Sequence, residues 1–328
     1  MHKMIKILFL YDEPRTFILQ DLAILKDYYD VVPLKYSGKK DIPLIAWYIL
    51  ITDINFSWFA LGYASVAVFF SKLFRKKSVV VAGGWDVASV PEINYGAMQT
   101  PKRRRKTKFT LDHADRILAV SESTKKEVLS WSPDSKVAVV YNGINPTLYV
   151  PNDQKKKIVL TVGGVSWSTV YKKGLETFVK AAKYMQDTEF VLAGKHFDDA
   201  HEYLESISTP NVRFTGYIPS DDLRKLYQDA KVYVQVSAHE SFGCSLAEAM
   251  LCECVPVATE RAALTEVVGD VGYYVDYNDP EGTAQAIKEA LSSNKGLDAR
   301  SRIEKLYPRE RRKDKIIEII EGFSQESL

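Results

Sequence analysis

The chain has 328 residues, 46% of them hydrophobic and 26% charged, which is the composition of a soluble globular protein long enough for two domains. Its formal net charge of +2 creates no overall field that would select nucleic acid as a partner. The cysteines, Cys244, Cys252 and Cys254, lie close together without paired CxxC spacing. This arrangement predicts buried, reduced thiols rather than a zinc site or a disulfide framework.

The first half of the chain alternates strand-like and helix-like patterns. Residues 1–14 have a basic start and a short apolar run but no small-residue cleavage site, so we interpret them as leading into a first strand and not as a signal peptide. Short apolar runs predict strands at 5–11, 29–34, 78–82, 116–120 and 137–141. Helical spacing predicts helices at 17–28 and in the segment after Ser121.

Residues 43–74 are strongly apolar and allow two interpretations. The uninterrupted run 56–70 has 15 residues, which is short of the roughly 20 that a membrane-spanning helix needs. Asp53 and Asn55 interrupt the longer stretch. We therefore expect a buried strand followed by a core helix, with a membrane span as the alternative, and a cytoplasmic protein.

The alternation restarts after a polar linker at 151–157. Strands are predicted at 158–162, 189–193, 212–215, 232–236 and 255–258, and helices at 175–184, 221–229 and 246–252. Two successive series of this kind predict an α/β protein with two doubly wound parallel sheets. The predicted domains are 1–151 and 152–307, with a helix at 308–328 that crosses back to the first domain. Ligands of such sheets bind beyond the carboxyl ends of the strands, so we expect a site in the cleft between the domains.

The stretch HESFGCSLAEAM at 239–250 places polar groups at such a strand end. Glu240 lies just past the strand 232–236. Ser245 and Glu248 fit a capping box, which predicts a helix start near Ser245. The backbone N–H groups before it form an anion site, and Gly243 lets a ligand approach closely.

Glu240 and Glu248 match the Glu-x7-Glu signature of retaining glycosyltransferases of the GT-B type, family 4. The surrounding segment FTGYIPSDDLRKLYQDAKVYVQVSAHESFGCSLAEAMLCECVPVATE resembles that family's second domain. VGGVSWSTVYKKGLETFVKAA resembles its phosphate loop, and ILAVSESTKKEV and VYNGIN are similar to patterns of its first domain. The resemblance covers most of the chain and is strongest over 158–280. It implies the GT-B fold, with two Rossmann-like domains facing a cleft.

The resemblance also implies roles for individual residues. Lys173 would bind the donor diphosphate and Glu240 would lie near the sugar, and these two are the catalytic candidates. Glu248 would accept hydrogen bonds from the ribose hydroxyls. The full set expected to bind the donor is Gly163, Gly164, Lys173, Lys195, Gly216, Tyr217, Ile218, Glu240, Ser241, Phe242, Gly243, Cys244, Ser245, Leu246 and Glu248. The competing interpretations are that Glu248 only caps its helix and that Lys173 is an ordinary solvated lysine.

Two positions depart from the family pattern. Gly164 stands where the family's phosphate loop has an arginine, and Lys195 or Lys172 is the hypothetical replacement. Gly83 stands where many members have a histidine, in the sequence AGGWDV. On this acceptor side Asp86 remains, and Trp85 could stack on a sugar ring.

The run KRRRKTK from Lys102 to Lys108 places six basic residues in seven. It is either a solvated, partly disordered loop or a contact to anionic lipid headgroups or a phosphorylated acceptor. The second interpretation, together with the aromatic segment 56–74, would place the protein peripherally at a membrane.

The resemblance implies a retaining transferase that moves a hexose from a UDP-, GDP- or ADP-sugar to a sugar or lipid-linked acceptor, with no nucleic acid involved. The chain contains no Asp-x-Asp motif, so we expect no metal and no cofactor besides the donor. The alternative is a catalytically impaired nucleotide-sugar-binding protein with a regulatory or assembly role, which Gly83 and Gly164 motivate. A sugar-nucleotide epimerase is disfavoured, because the acidic and histidine residues of such enzymes are not recognisable.

Overall fold

The computed structural model describes residues 5–152 and 154–325. It divides into two compact units. The first contains the chain up to Gly143 together with the residues from Glu310 onward, and the second runs from Ile144 to Arg309. The predicted boundary at residue 151 thus lies several residues later than the division in the structure. Each unit is built on a six-stranded sheet whose paired strands are all parallel.

The first unit has the strand order β2-β1-β3-β4-β5-β6. Its strands are β1 (Lys6–Tyr11), β2 (Asp30–Lys35), β3 (Ile54–Trp58), β4 (Lys77–Ala82), β5 (Arg116–Ala119) and β6 (Val137–Val139). Its helices are α1 (Thr16–Tyr28), α2 (Ile42–Ile51), α3 (Gly62–Leu73), α4 (Pro101–His113), α5 (Glu122–Trp131) and, from the end of the chain, α14 (Arg309–Gln325).

Both faces of this sheet are buried, because successive strand residues point to opposite sides. Ile7 and Phe9 of β1 contribute to one core cluster, which α1 and α14 help to form. Leu8 and Leu10 contribute to a second cluster with residues of α2, α3, α4 and α5. This double burial explains why β1 appears in the sequence as a continuous apolar run rather than as an alternating one.

The second unit has the strand order β12-β11-β10-β7-β8-β9. Its strands are β7 (Lys156–Val162), β8 (Glu189–Ala193), β9 (Val212–Phe214), β10 (Ala230–Gln235), β11 (Val255–Thr259) and β12 (Tyr273–Val275). Its helices are α6 (Trp167–Lys173), α7 (Leu175–Ala181), α8 (Ala200–Ser206), α9 (Ser220–Asp229), α10 (Cys244–Leu251), α11 (Leu264–Val268), α12 (Pro280–Leu291) and α13 (Gly296–Leu306).

The order of strands reverses between β7 and β10. From β7 the chain adds β8 and β9 on one side, and then returns to add β10, β11 and β12 on the other. Connections on the two sides leave the sheet in opposite directions, so a crevice opens where the carboxyl ends of β7 and β10 lie side by side. The second unit therefore has a preformed place for a ligand at the ends of these two strands.

Three local predictions differ from the structure. Residues 43–74 form α2, β3 and α3 rather than a strand followed by one helix, because an entirely apolar segment has no periodicity that distinguishes a buried strand from a helix. The run Lys102–Lys108 lies within α4 and is not a loop. The predicted helix 175–184 is preceded by a separate helix, α6, and the linker is shorter than predicted because β7 begins at Lys156.

Among the described parts of the chain, no helix combines the length and the apolar character required to cross a bilayer. The segment 43–74 contributes β3 to the sheet of the first unit.

A buried ion pair attaches α14 to the first unit. Arg312 donates from Nε to Asp21 Oδ1 at 2.6 Å and from a second guanidinium nitrogen to Oδ2 at 2.7 Å. Trp58 Nε1 donates to the same carboxylate at 3.0 Å, and Arg312 also donates to the carbonyl of Val140. Both charged side chains are almost fully excluded from solvent, so each depends on the other for its solvation.

Candidate active site

Two lysines and a glutamate meet at the strand crevice of the second unit. Glu240 follows the carboxyl end of β10, and Lys172 and Lys173 end α6, the helix that follows β7. Lys172 Nζ lies 3.7 Å from Glu240 Oε1 and Lys173 Nζ lies 3.8 Å from Oε2. The Lys172 carbonyl also accepts a hydrogen bond from Ala238 at 2.8 Å, which fixes the end of α6 beside β10.

The electrostatics keep Glu240 ionised. Its side chain is only 12% exposed, and burial alone would raise the pKa of its carboxyl. The positive charges of Lys172 and Lys173 outweigh that effect and lower the pKa to about 2. Gln235, the last residue of β10, also donates to Oε2 at 2.7 Å. A permanent carboxylate is therefore held between two cations and an amide.

Lys173 lies across the backbone at the end of β7. Its Nζ is 3.3 Å from the carbonyl oxygen of Val162. A Cβ added to Gly163 would lie 2.6 Å from Lys173 Cδ, so only glycine leaves room for the lysine stem here. Burial lowers the pKa of Lys173, while Glu240 acts in the opposite direction. This environment is not that of a solvated lysine beside a turn. The role of Lys173 in binding the diphosphate stays a prediction.

The N-terminus of α10 borders the same crevice. The helix begins at Cys244 with Gly243 as its N-cap at φ 92°, in the left-handed region that favours glycine. The predicted capping box is wrong: Ser245 lies inside the first turn, and no side-chain hydrogen bond caps the helix. A Cβ built on Gly243 would lie 3.6 Å from Glu240 Cγ. The N–H groups of this first turn thus lie next to the carboxylate, and a helix N-terminus of this kind can receive an anion.

Glu248 is held by tyrosines rather than by a cap. Tyr227 donates from its hydroxyl to Glu248 Oε2 at 3.1 Å, and Tyr149 donates a second hydrogen bond. Tyr233 donates to Ser245 Oγ at 2.8 Å on the same helix. Burial raises the pKa of Glu248 to about 7 although the tyrosine hydrogen bonds act in the opposite direction. Two oxygens of a carboxylate have more acceptor capacity than two tyrosines use, so hydroxyl groups of a ligand can still bind.

The space beside Gly164 is filled by an aromatic ring. A Cβ at Gly164 would lie 2.5 Å from Phe197 Cε2 and 3.5 Å from the carbonyl oxygen of Lys195. The Lys195 ammonium lies 5.3 Å from the centre of the Phe197 ring. The Phe197 ring, which the sequence analysis missed, therefore lies close to both Gly164 and the Lys195 ammonium. That Lys195 replaces the family arginine stays a prediction.

The remaining donor candidates fall into two groups. Gly216 follows β9, and its carbonyl accepts a hydrogen bond from Gly194, the residue before Lys195. Tyr217 is 74% exposed beyond it, and Ile218 is half-buried. By contrast, three of the candidates have buried side chains, so only their backbone groups can contact a ligand. They are Ser241, Phe242 and Leu246.

The acceptor-side candidates lie in the first unit. Asp86 is fully buried, and its carboxylate accepts backbone hydrogen bonds from Ala60 at 2.7 Å and from Gly84 at 2.8 Å. Burial raises the pKa of Asp86 to about 6. Asp86 therefore links the loop after β3, through Ala60, to the loop after β4, through Gly84. Trp85 is half-buried, and the Arg103 guanidinium lies 5.3 Å from the centre of its ring.

Sequence reasoning missed several residues of the site. Gln235 had a signal, because it is a polar residue at the end of an otherwise apolar strand. Tyr149, Tyr227 and Tyr233 had none, since aromatic residues in such positions are normally core residues. Within residues 5–152 and 154–325, no group of three or more His, Cys, Asp and Glu side chains is placed to hold a metal ion.

Two family models match separate parts of the chain. The model for glycosyl transferases group 1 matches residues 156–293, and the model for glycosyltransferase family 4 matches residues 55–148. Together they span most of both units. The first match contains Lys173, Glu240 and Glu248.

Curated relatives and solved structures agree with these matches. An uncharacterized glycosyltransferase of Methanocaldococcus jannaschii is 30% identical over 203 residues, which are 54% of this chain and 50% of the relative. The GPI3 subunit of phosphatidylinositol N-acetylglucosaminyltransferase from Saccharomyces cerevisiae is 26% identical over 59% of this chain and 47% of its own. The chain thus matches about half the length of these relatives.

Similarity of fold extends further than similarity of sequence. The crystal structure of HepE from Anabaena in complex with UDP and glucose superposes with a TM-score of 0.82 at 17% identity and covers 97% of this chain and 100% of its own. Sucrose-phosphate synthase from Thermosynechococcus elongatus superposes with a TM-score of 0.78 over 98% of this chain. The two family matches show that the chain belongs to family 4 of the glycosyltransferases, and the structural neighbours show that it has the GT-B fold.

Proposed function

We propose that the protein transfers a hexose from a nucleoside diphosphate sugar to a sugar or lipid-linked acceptor, without a metal ion and with retention of the anomeric configuration. The observation that carries the proposal is the convergence of Lys173, Glu240 and the first turn of α10 at the strand crevice of the second unit. A diphosphate needs fixed positive groups to leave as an anion, and a lysine and a helix N-terminus provide them without a metal.

The proposed reaction follows from the charges at this site. The diphosphate would displace the Glu240 carboxylate from Lys173 and bind the ammonium group and the α10 N–H groups. The bond from the anomeric carbon to the diphosphate oxygen breaks, and the acceptor hydroxyl attacks that carbon from the same face. Its proton passes to the departing phosphate oxygen. Glu240 would stabilise the positive charge that develops on the sugar ring. Retention rests on the family resemblance.

The first test is incubation of the protein with UDP-, GDP- and ADP-sugars in the presence of a chelator, with nucleotide release followed over time. UDP-sugars are the first choice because a structural neighbour was solved with UDP-glucose. Slow release from one donor that disappears in Glu240→Ala supports the transferase. Tight binding without release, in the presence of sugar and lipid-linked acceptors, would instead support a nucleotide-sugar-binding protein that has lost catalysis.

Lys195 is expected to replace the missing arginine at Gly164. Lys195→Ala should weaken donor binding by at least about tenfold, since a charge-assisted contact to phosphate contributes roughly 1.5–3 kcal/mol. Gly164→Arg in the Lys195→Ala background should restore binding only when Phe197→Ala is added, because the Phe197 ring occupies the space that the new side chain needs. Calorimetric titration of UDP into the three variants is the measurement. Full donor affinity and turnover in Lys195→Ala would contradict this role.

Nucleotide affinity is expected to fall as the pH is lowered through about 7, the pKa of Glu248. Protonation removes the charge that makes this carboxyl a strong acceptor for ribose hydroxyls. Affinity of wild type and Glu248→Gln for UDP, measured on both sides of neutral pH, tests this, and the variant should bind weakly at every pH. If the UDP affinity of Glu248→Gln depended on pH as that of the wild type does, Glu248 would not be the acceptor for the ribose hydroxyls.

The same shift makes an independent prediction for stability. The folded-state pKa of Glu248 lies above the ordinary value of 4.5, so its contribution to stability is complete below that value and is lost as the pH rises through about 7. Glu248→Gln should therefore remove part of the loss of stability between about pH 4.5 and pH 7. Thermal unfolding of both proteins across this range is the measurement.

A further inference from the structure

Helix α2 has an apolar surface on the outside of the first unit. Its sequence, IPLIAWYILI, contains no charged residue. Ile45 and Ile49 are buried in the core, whereas Leu44, Trp47 and Ile51 share the opposite face and are exposed, with Trp47 at 56%. A surface helix normally places polar residues on its outer side, so the core of the unit does not explain this composition.

The apolar surface continues onto α3, which packs against both α2 and α4. Phe69 and Leu73, one turn apart on α3, are 52% and 60% exposed. A groove of about 450 Å³ connects the three helices, and its walls are almost entirely apolar. The residues that line it include Ile42, Val66, Phe69, Phe70 and Phe109.

Cations border this groove. Arg105 and Lys106 of α4 line it, and Lys72, Arg75 and Lys76 lie at the end of α3. α2 and α3 contain no carboxylate, and the single one of α4, Asp112, is held by Lys108 and Ser132. The face therefore combines exposed apolar side chains with an excess of positive charge.

We propose that this face, defined as the exposed side of α2 and α3 with Arg105 and Lys106 of α4, docks on a bilayer of anionic phospholipids. Trp47, Phe69 and Leu73 would enter the headgroup region, while the cations bind lipid phosphates. A second copy of this chain fits poorly, because a symmetric contact would place the same cations against each other. The proposal is independent of sugar transfer.

Flotation of the full-length protein with vesicles tests the proposal. It should bind vesicles that contain phosphatidylglycerol and not vesicles of phosphatidylcholine alone. Trp47→Ser with Phe69→Ser, and separately Arg105→Gln with Lys106→Gln, should each weaken binding about tenfold or more. Leu297→Ser and Lys288→Gln on the second unit are matched controls that should bind as wild type does. Thermal unfolding of every variant, measured without lipid, should match that of the wild type, which separates loss of docking from misfolding of the first unit.

Tryptophan fluorescence locates the contact. Lipids with brominated chains should quench the wild type on binding, and Trp47→Phe should lose most of that quenching although four other tryptophans remain of the five. Equal quenching in Trp47→Phe, or absence of binding to anionic vesicles, would overturn the proposal. Binding to soluble polyglutamate that equals vesicle binding and survives Trp47→Ser with Phe69→Ser would also overturn it, in favour of an acidic protein partner.

Discussion

Replacing Glu240 with glutamine should lower turnover by about a hundredfold to a thousandfold while leaving affinity for the nucleoside diphosphate intact or increased. The size of the loss is that of removing one preorganised electrostatic group from a transition state. The carboxylate is ionised at neutral pH, with a pKa of about 2. Its negative charge would stabilise the positive charge that develops on the sugar ring.

Affinity should not fall, because Glu240 and the diphosphate compete for the same cations. Lys172 and Lys173 lie 3.7 and 3.8 Å from the carboxylate oxygens. In Glu240→Gln the carboxylate no longer competes with phosphate for either lysine. Lys173→Met should do the opposite and weaken nucleotide binding strongly, since it removes the cation. The two variants therefore separate catalysis from binding.

Calorimetry with UDP and steady-state kinetics with the donor that the nucleotide-release assay selects are the two measurements. Glu281→Gln, which changes an exposed carboxylate on α12 of the same unit, is the matched control. Thermal unfolding should accompany them. The folded-state pKa of Glu240 is lowered, so its contribution to stability is present above pH 4.5 and is lost as the pH falls toward 2. A Glu240→Gln enzyme with normal turnover would remove Glu240 from the mechanism.

Arg312→Met should destabilise the first unit by about 3–5 kcal/mol, the usual cost of leaving one partner of a buried ion pair without the other. For a unit of this size, the unfolding temperature should fall by on the order of 10 °C. Asp21 would lose both guanidinium contacts and keep only Trp58 as a side-chain donor. The carbonyl of Val140 would lose its donor as well.

A second variant distinguishes the loss of the pair from the loss of arginine packing. Arg312→Met with Asp21→Asn should be more stable than Arg312→Met alone, because no uncompensated charge remains buried. Lys315→Met changes an exposed pair with Glu318 on the same helix, and it should cost about 1 kcal/mol or less. Calorimetric unfolding of the three variants is the measurement, and equal effects of Arg312→Met and Lys315→Met would contradict the role of the pair.

The parallel architecture was predictable because each buried strand appears in the sequence as an apolar run. The end of β10 and the glutamate after it were visible for the same reason. The exact start of α10 was not, because Ser245 and Glu248 have the spacing of a capping box whether or not they form one. Their tyrosine partners come from positions 12 and 21 residues earlier in the chain, and such distant contacts leave no local pattern.

The helical structure of α2 could not be predicted from its sequence. Its residues are apolar on every side, so no periodicity distinguishes a strand from a helix, and length was the remaining criterion. In the basic run of α4, helical propensity was ordinary and the charges alone favoured a solvated loop. Thr107, Thr110 and Leu111 are the buried residues that attach this helix to the unit, and polar residues among them give a weak signal.

The attachment of α14 through Arg312 has a consequence for the order in which the protein forms during synthesis. Residues from Glu310 onward complete a unit whose other part ends at Gly143. The ribosome therefore releases all of the intervening second unit before the first can be finished. Until then Asp21 lacks its cation, and one sheet face lacks one of the two helices that cover it. The second unit, continuous in sequence, is free to fold earlier. In nascent chains stalled before residue 309, the nucleotide site should accordingly resist proteolysis, whereas β1 should still be cleaved.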